Sequence, residues 1–509
     1  MNLITSIYEE IYINKNLRTN KTAIVFENKK IDYNTLKNNV DNLSSSLISE
    51  GIKINQKIGI VMPNSIELVY CMLAASKIGL TIIPFNTNYN KDVLLKCFRD
   101  LKVDTIIAWH RFIEYFDVEL KKYKNKIRLV SYGKKLNGFL YFEYLLLKKN
   151  SKKIRNSNLI YKDYIISLTS GSTGKPKPIL FKQTTKLERA KAAIKTFELN
   201  QNDVIITSTP LDHSLGQRLL FTSLILGATC VLLKKFTTNN WLDSVRLNNV
   251  SFTILISSQI ENIFKNNINQ VLKLKSLKKI VSASSKFKDD FKKNKKILKQ
   301  FNLYEMYGAS EIGTATSINL NKEKNKYNSV GRSCSNIEIK ILKDGKITKK
   351  NIIGEIVCKT PLKFFGYYKN ENLTKKTFYK NYFKTGDMGY LDENNYLYFT
   401  GRLKNIMNIS GVNVFPEDIE AVIKSNNKIL ECCITSNEDE FGEKIIAIIH
   451  TNDTKKKILN EIKDLCFEKL SDFQIPYYYC FTNEFPKTTI GKLDRQKLVN
   501  KISKLKRYI

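Results

Sequence analysis

Short apolar runs alternate with segments of helical spacing along the first half of the chain. Strand-like Ala23–Phe26 is followed by the helical period of Leu36–Leu47, and strand-like Lys57–Met62 by that of Ile66–Ala75. The same alternation recurs at Thr81–Pro84, Leu94–Leu101, Thr105–Ala108, Val204–Ser208 and Phe252–Ile256. Strands separated by helices pair in parallel, with the helices covering the sheet. The sequence therefore predicts an α/β fold whose large N-terminal region contains stacked, mostly parallel sheets.

The pattern changes near Gly331. Up to Arg402, apolar runs at Ile337–Leu342, Gly354–Lys359 and Tyr396–Phe399 are separated by glycine, asparagine and lysine residues, which are typical of turns. Short strands joined by such turns predict a small β-barrel-like subdomain at the end of the large region.

The last part of the chain returns to mixed helices and strands. A helix is expected at Pro416–Lys424, strands at Cys432–Thr435 and Ile445–His450, and a second helix at Lys455–Leu470. These elements predict a small α+β C-terminal domain. We therefore place the boundary at Leu403–Lys404, which gives domains 1–403 and 404–509.

The chain is strongly basic. Its 84 lysines and arginines against 48 aspartates and glutamates give a net charge of +36 over 509 residues. The excess is spread along the chain with local clusters such as Lys286–Lys299, whereas a nucleic-acid interface requires a clustered basic face with stacking aromatics. A diffuse lysine excess is typical of a solvated surface. Nucleic-acid binding is therefore the less favoured interpretation.

The sequence also bears on the cellular compartment. Met1–Lys15 contains Glu9 and Glu10 and has no continuous apolar core, unlike a signal peptide. The apolar run Leu219–Leu233 is shorter than the roughly 18 residues of a membrane-spanning helix and is interrupted by Gly227, which predicts a buried helix, a turn and a buried strand. The 9 cysteines form no CxxC pair, which indicates buried reduced thiols. These observations predict a cytoplasmic protein without a membrane span.

The segment Leu168–Pro178 combines hydroxyls, glycines and two lysines between two apolar runs. Glycines let backbone N–H groups point inward, hydroxyls donate hydrogen bonds and lysines supply charge, a combination that can bind a polyphosphate. It is not a Walker A loop, because Lys175 is followed by proline and Thr169 stands where the first glycine is required. Pro176 and Pro178 exclude a following helix, so a strand–loop–strand hairpin is expected. A flexible Gly/Ser surface loop is the alternative.

Further motifs follow this loop in a fixed order. They are Tyr307–Glu311 (YGASE), Gly354–Ile356 (GEI), Thr385–Asp387 (TGD), Gly401–Lys404 (GRLK), Pro416–Glu420 (PEDIE), Pro486–Thr488 (PKT) and Gly491–Lys492 (GK). On these motifs the chain resembles the adenylate-forming superfamily of acyl-CoA synthetases and AMP-dependent ligases, from about Thr22 to Arg495. The resemblance implies an AMP-binding domain followed by a mobile C-terminal domain that carries a catalytic lysine.

The resemblance implies a site for ATP and Mg²⁺. The residues that it places around the nucleotide are Thr169, Ser170, Gly171, Ser172, Thr173, Gly174, Lys175, Lys177, Ser284, Tyr307, Gly308, Ala309, Ser310, Asp387 and Arg402. Glu311 is the implied Mg²⁺ ligand, since a hard cation prefers carboxylate oxygen; a helix start at Ser310–Glu311 is the alternative. Asp387 is implied to bind the ribose hydroxyls and Arg402 the ribose or a phosphate. Taken alone, Asp387 would more often be a turn-capping residue, and a surface ion pair is the alternative for Arg402.

Catalysis is assigned by the same resemblance to Lys492, which would stabilise negative charge on the transferring carboxylate and the α-phosphate. Because Lys492 lies in the C-terminal domain, that domain must close onto the larger one and move afterwards. Lys404 matches the family's hinge position and is counted with Lys492 and Glu311 as catalytic. Ser410 and Gly411 match a tunnel for the pantetheine arm of CoA, while Asn408 replaces a lysine common in CoA ligases.

The acyl substrate is implied to contact His213, Ala283, Met306 and Gly308. His213 is expected to gate the pocket and to contact the carboxylate rather than to bind a metal; a histidine at a helix start is the alternative. Gly308 stands where acetate-specific relatives carry tryptophan, which predicts a pocket open to more than two carbons. Met306 stands where coumarate-type relatives are small, which predicts less room for an aromatic acid.

These expectations converge on an ATP-dependent carboxylic acid–thiol ligase. It would form an acyl-adenylate with release of pyrophosphate and then transfer the acyl group to CoA. The alternative acceptor is the phosphopantetheine of a separate acyl or peptidyl carrier protein, since no carrier domain is expected before residue 509. A catalytically inactive or nucleic-acid-binding relative is the alternative of a different class. A fatty, aryl or amino acid substrate and the oligomeric state are left open.

Overall fold

The computed structural model describes residues 6–13, 18–123, 127–147, 159–169, 177–283, 287, 289–409, 412–439, 442–487, 493–502 and 505–508. Its Cα positions group into two compact units. The larger contains Met1–Glu338 and Lys359–Asn381, and the smaller contains Ile339–Cys358 and Tyr382–Ile509. The β-barrel-like strands thus group with the C-terminal part in space. Compactness does not test which part moves, so the boundary at Leu403–Lys404 stays a prediction.

The helices are α1 (Ile7–Ile13), α2 (Tyr33–Ser49), α3 (Ile66–Ile78), α4 (Lys91–Asp100), α5 (His110–Tyr123), α6 (Phe142–Leu147), α7 (Gln183–Thr196), α8 (Ser214–Leu226), α9 (Thr238–Leu247), α10 (Ser257–Val271), α11 (Asp289–Lys293), α12 (Lys295–Gln300), α13 (Glu371–Lys376), α14 (Pro416–Lys424), α15 (Lys455–Lys469) and α16 (Arg495–Val499). Among the described residues, no helix is both long enough and apolar enough to cross a membrane.

The strands are β1 (Thr22–Phe26), β2 (Lys29–Asp32), β3 (Lys57–Val61), β4 (Thr81–Pro84), β5 (Thr105–Trp109), β6 (Arg128–Tyr132), β7 (Leu140–Tyr141), β8 (Asp163–Thr169), β9 (Lys177–Lys182), β10 (Val204–Thr207), β11 (Thr229–Leu232), β12 (Phe252–Ile256), β13 (Lys279–Ala283), β14 (Asn302–Ala309), β15 (Gly313–Asn319), β16 (Arg332–Ser333), β17 (Glu338–Lys343), β18 (Lys346–Ile347), β19 (Gly354–Lys359), β20 (Gly366–Tyr367), β21 (Phe378–Tyr379), β22 (Tyr382–Leu391), β23 (Leu397–Arg402), β24 (Met407–Ile409), β25 (Val412–Val414), β26 (Ile429–Asp439), β27 (Gly442–Thr451), β28 (Tyr478–Phe481) and β29 (Arg507–Tyr508).

The larger unit is built on two sheets. One has the strand order β16-β15-β14-β13-β12-β10-β11-β1-β2 and the other the order β20-β9-β8-β4-β3-β5-β6-β7. Their central strands are parallel, while β2, β15 and β16 in the first sheet and β9 and β20 in the second are antiparallel to their neighbours. The predicted α/β class with stacked, mostly parallel sheets is confirmed.

Local sequence explains where the helices of this unit begin and end. Ser65 begins α3 by accepting a hydrogen bond from the Leu68 amide at 3.1 Å, and Gly79 ends it with φ of +73°. Gly227 ends α8 in the same left-handed conformation, also with φ of +73°. The apolar run Leu219–Leu233 is therefore a buried helix, a turn and a strand, as predicted.

Helices α7 and α8 pack against each other between the two sheets. α7 contacts β8 and β9 of one sheet and β15 of the other, while α8 contacts β10 and β11. Their contact face includes polar side chains, among them the buried Lys186, Arg189 and Gln217. Polar groups between two sheets must find partners inside the protein, so these side chains belong to the description of the site.

The smaller unit contains an antiparallel sheet of β17, β18, β19, β22 and β23, followed by the α+β tail. In the tail, α14 begins with Pro416 at its first turn followed by Glu417 and Asp418, a favourable helix start. Strands β26, β27 and β28 carry the buried core with α14 and α15. Cys432 and Cys433 are fully buried, as predicted for this adjacent pair.

Candidate functional site

The predicted phosphate hairpin is present as β8 and β9. The two strands are antiparallel, with Leu168 opposite Pro178 and Thr169 opposite Lys177, so the strand–loop–strand prediction is confirmed. The loop itself, Ser170–Pro176, lies outside the described residues. Lys177 opens β9, and its Nζ lies 5.9 Å from the ring centroid of Tyr367.

The second motif forms the end of β14 and the turn into β15. Tyr307, Gly308 and Ala309 are the last residues of β14, and the Ile312 amide donates to the Ala309 carbonyl at 3.2 Å. Ser310 and Glu311 therefore lie in a tight turn between two antiparallel strands. The alternative that this pair begins a helix is wrong, because β15 starts at Gly313.

Glu311 is half-buried and held on both its backbone and its side chain. The Tyr367 hydroxyl donates to Glu311 Oε1 at 3.1 Å, and the Phe364 amide donates to the Glu311 carbonyl at 2.6 Å. Burial and the Glu311 charge raise the pKa of Tyr367, so the phenol stays protonated and acts as the donor. An ionised carboxylate has about four acceptor positions. One bond from Tyr367 therefore leaves Glu311 with the oxygen chemistry that fits Mg²⁺.

Tyr367 connects this turn to the phosphate hairpin. It lies on β20, which pairs antiparallel with β9 so that Tyr367 is opposite Ile179. Sequence reasoning missed Tyr367, although the Gly366-Tyr367 pair before the Asn370 cap of α13 was a usable signal for a short strand. A single residue thus joins the candidate phosphate-binding strand and the candidate metal ligand.

Arg189 is a second residue that sequence reasoning missed. It lies on α7 and donates to three neutral oxygens: the Ser310 carbonyl at 2.9 Å, the Leu362 carbonyl at 2.8 Å and the Ser214 hydroxyl at 3.0 Å. Burial lowers the pKa of this guanidinium. Arg189 therefore fixes the Ser310–Glu311 turn against the start of α8.

Gly308 has a structural reason that differs from the expected one. An added Cβ would lie 1.9 Å from the Gly313 carbonyl oxygen, because the register of β14 and β15 shifts between Tyr307 and Gly308. The glycine permits this close approach of two backbones. In this conformation the nearby Gly313 carbonyl excludes any side chain at Gly308. The expectation that Gly308 leaves the acyl pocket open stays a prediction.

We expect Gly308→Ala to displace the β14–β15 turn and the Glu311 side chain that it carries. Overpacking of this kind costs about 1–3 kcal/mol. The midpoint temperature of thermal unfolding should therefore fall, and Mg²⁺-dependent nucleotide binding should weaken. Gly345→Ala is the control, since nothing lies within 4 Å of its Cβ and only its left-handed φ of +72° opposes it. Equal stability and equal Mg²⁺ dependence of the two variants would contradict this interpretation.

The residues predicted for the acyl pocket lie on two adjacent strands and at one helix start. Ala283 ends β13 directly opposite Met306 of β14, and Gly308 follows on the same strand. His213 is the N-cap of α8 but makes no side-chain capping bond, and its Nε2 lies 3.6 Å from Asp212 Oδ2. Within the described residues this buried Nε2 has no hydrogen-bond partner. The helix-start position of His213 and a role as polar ligand are thus both compatible with the structure.

Asp387 and Arg402 face each other in the smaller unit. They are opposite residues of β22 and β23, and Arg402 Nε lies 2.8 Å from Asp387 Oδ1. The prediction that Asp387 lies in a turn is wrong, because it is a buried strand residue after Gly386, whose φ is +68°. The two residues expected to bind the ribose form an ion pair, so a ribose hydroxyl would have to share or displace this contact.

The residues on either side of Lys492 are held in place. Thr488–Lys492 themselves lie outside the described residues. Ser284, Ser410 and Gly411 also lie outside them. Lys487 and Leu493 form an antiparallel bridge. Arg495 donates to both carboxylate oxygens of Glu420, at 2.6 and 2.8 Å. Both bonds come from Nη2, and this ion pair ties the start of α16 to α14. Lys404 lies in an exposed 3₁₀ turn, Leu403–Asn405, directly after β23.

Two family models match the chain. Residues 14–368 match the AMP-binding enzyme family, and residues 418–492 match the AMP-binding enzyme C-terminal domain. The chain belongs to the AMP-binding enzyme family. The membership predicted from the motifs is thus confirmed, and the family's two domains occur here in the predicted order.

Members of this family are similar to the chain over nearly its full length. The indoleacetate–CoA ligase of Aromatoleum aromaticum is 25% identical over 487 residues, covering 94% of each protein. The 2-succinylbenzoate–CoA ligase of Bacillus thuringiensis subsp. konkukian is 24% identical over 485 residues, covering 95% of this chain and 96% of that one.

A solved structure gives the same fold. The o-succinylbenzoate CoA synthetase of Bacillus subtilis, in complex with its acyl-adenylate intermediate, matches with a TM-score of 0.83 at 21% identity, covering 97% of this chain and 98% of that one. Another structure of that synthetase contains ATP and a magnesium ion. At this identity the likeness shows the fold alone.

Proposed function

We propose that this protein is an AMP-forming acid–thiol ligase that activates a carboxylic acid with ATP and transfers the acyl group to CoA. The observation that carries the proposal is the bond from Tyr367 to Glu311 at 3.1 Å, with Tyr367 on the strand beside β9. It joins a hairpin suited to polyphosphate and a carboxylate suited to Mg²⁺. The CoA ligases similar to this chain support the reaction class.

In the first half-reaction, a carboxylate oxygen attacks the α-phosphorus of ATP. The new O–P bond forms as the bond to pyrophosphate breaks, which gives the acyl-adenylate. The residues Thr169–Lys175 and Lys177 would hold the phosphates, and Glu311 would hold Mg²⁺, which offsets phosphate charge when bound. Arg189 and Tyr367 contribute by fixing the Ser310–Glu311 turn. Lys492 would neutralise charge on the reacting oxygens.

In the second half-reaction, a thiol loses its proton and its sulfur attacks the acyl carbon. The C–S bond forms and the C–O bond to AMP breaks, which gives a thioester. We propose CoA as the acceptor and Ser410–Gly411 as the backbone past which its arm enters. A carrier-protein phosphopantetheine has the same reacting thiol, and the 36 excess positive charges would favour an acidic carrier.

The test is ATP–pyrophosphate exchange over a panel of fatty, aryl and amino acids, followed by detection of thioester and AMP with CoA. We expect at least one acid to support exchange and to give an acyl-CoA product. Exchange without acyl-CoA formation, together with acylation of a purified carrier protein, would favour the carrier as acceptor. Absence of exchange with every acid would contradict the proposed activity.

A further inference from the structure

Three cations are buried between α7 and α8 in the larger unit. Lys186, Arg189 and Arg218 are 2%, 2% and 8% exposed, respectively. Burial lowers the pKa of all three, and the neighbouring guanidiniums lower that of Lys186 further. Buried charges in proteins are ordinarily paired with opposite charges, so the partners of these three decide what the cluster is for.

Two of the three are satisfied by neutral groups. Lys186 Nζ donates to Gln217 Oε1 at 2.6 Å and lies 3.6 Å from the ring centroid of Phe181. Arg189 makes the three hydrogen bonds described above and also experiences the negative charge of Glu311. Each side-chain nitrogen of these two cations therefore has at least one hydrogen-bond partner within the fold.

Arg218 is different. Its Nη1 donates to the Thr314 hydroxyl and lies 4.0 Å from Met306 Sδ. Its Nε is buried and, within the described residues, has no hydrogen-bond partner. Burial raises the pKa of the nearby Cys334 thiol, which therefore stays neutral, and among the described residues no carboxylate forms an ion pair with Arg218. A guanidinium offers five N–H donors. Arg218 therefore has donors that no described group accepts, and its positive charge has no carboxylate partner among the described residues.

Other buried polar atoms, on α8 and in the segment before it, also lack a partner among the described residues. Among the described residues, the buried side-chain oxygens of Ser208, Thr209 and Thr222 and the Nε2 of His213 also have no hydrogen-bond partner. Thr222 lies four residues after Arg218 on α8 and therefore on the same helix face. Each unsatisfied buried group costs free energy. Arg218 Nε and Thr222 Oγ1 are therefore two buried polar atoms on one face of α8 that a polar ligand can satisfy.

The position of Arg218 connects this cluster with the proposed acyl pocket. Met306, which Arg218 approaches, and Thr314 are both half-buried on the adjacent strands β14 and β15. A cavity of about 10 Å³ lies between Arg189, Arg218, Thr314 and Leu362. That volume accommodates roughly one water-sized oxygen. One oxygen atom can therefore lie beside Arg218 in this cavity.

We propose that Arg218 selects acids that carry a second anionic group, so that dicarboxylic acids are the preferred substrates. The inference rests on the proposed function and names its substrate class. One carboxylate reacts with ATP, and an oxygen of the other accepts hydrogen bonds from Arg218 and compensates its charge.

Matched acid pairs that differ only in the second carboxylate test this proposal. Hexanoate is compared with hexanedioate and phenylacetate with 4-carboxyphenylacetate, by ATP–pyrophosphate exchange with the full-length protein. We expect a higher kcat/KM for the diacid of each pair. In Arg218→Met the diacid-to-monoacid ratio should fall about 10- to 100-fold, the range for loss of one hydrogen bond to a charged group. The change should appear in the KM of the diacid.

Arg218→Lys is the second variant, which keeps the charge but removes the planar fork, and its ratio should lie between those of Arg218→Met and the unchanged protein. If Arg218→Met does not fold, a fall of at least about fivefold in Arg218→Lys supports the proposal. An unchanged ratio in a folded variant, or preference for the monoacid in both pairs, overturns it while leaving the ligase activity standing. Absence of exchange with all acids of the larger panel overturns the proposed function itself.

Discussion

Replacing Lys492 with alanine should remove carboxylate-dependent ATP–pyrophosphate exchange while leaving thioester formation from supplied acyl-adenylate. The proposed role of Lys492 is to stabilise negative charge that develops on the carboxylate and the α-phosphate during adenylation. The C-terminal domain that carries Lys492 is proposed to move before the thiol reacts. Loss of one such stabilising group costs about 100- to 1,000-fold in rate. Both half-reactions are to be measured on the same preparation, one by exchange and the other by acyl-CoA release from the adenylate.

Lys497→Ala is the matched control for this experiment. Lys497 lies on the same short C-terminal segment, its side chain is 71% exposed, and it forms an ion pair at 3.7 Å with Asp494. An exposed pair of this kind contributes little, so both half-reactions should proceed at nearly unchanged rates. If Lys492→Ala reduced the two half-reactions equally, the proposed division of labour would be wrong.

Glu311→Gln should weaken the dependence of exchange on Mg²⁺. The substitution keeps the size of the side chain and its bond from Tyr367 while removing the charge that a hard cation prefers. The Mg²⁺ concentration for half-maximal exchange should rise about 10- to 100-fold or more, since even groups that only orient a ligand have effects of this size. Mg²⁺ titration of exchange at saturating ATP and acid measures it.

Two further variants serve as comparisons for Glu311→Gln. Tyr367→Phe removes only the hydrogen bond to Glu311, so its effect on the Mg²⁺ requirement should be smaller than that of Glu311→Gln. Glu198→Gln removes an exposed carboxylate, 70% accessible and 4.0 Å from Lys322, and should have no effect. A larger effect of Tyr367→Phe than of Glu311→Gln would show that Tyr367 itself, rather than the carboxylate, contacts the phosphates or the metal.

Sequence reasoning succeeded where a local pattern has one structural solution. Alternating strands and helices gave the parallel sheets, and the prolines after Lys175 gave a hairpin rather than a helix after the loop. Gly227 separated α8 from β11 as expected. These outcomes depend on backbone preferences within a few residues, which the sequence states directly.

The errors concern residues whose environment comes from distant parts of the chain. Asp387 was expected in a turn because Thr-Gly-Asp is turn-like, but pairing with β23 makes it a buried strand residue opposite Arg402. The close approach of the Gly313 carbonyl to Gly308 also comes from strand pairing and could not be read locally, while the pocket role of Gly308 stays a prediction. Pairing partners of this kind override local propensity.

The sequence by itself determined the fold class, the family and the identity of the motif residues, because these depend on residue type and order. Only the tertiary structure brought Tyr367 to Glu311, Arg189 to Ser310 and Arg218 to Met306, contacts that span 56, 121 and 88 positions of sequence. No local sequence pattern shows that an arginine on an apolar helix, such as Arg218 on α8, will lack a carboxylate partner. The cost of burying its charge arises only when α7 and α8 pack between the two sheets, so the inferred preference for a second anionic group is a property of the fold.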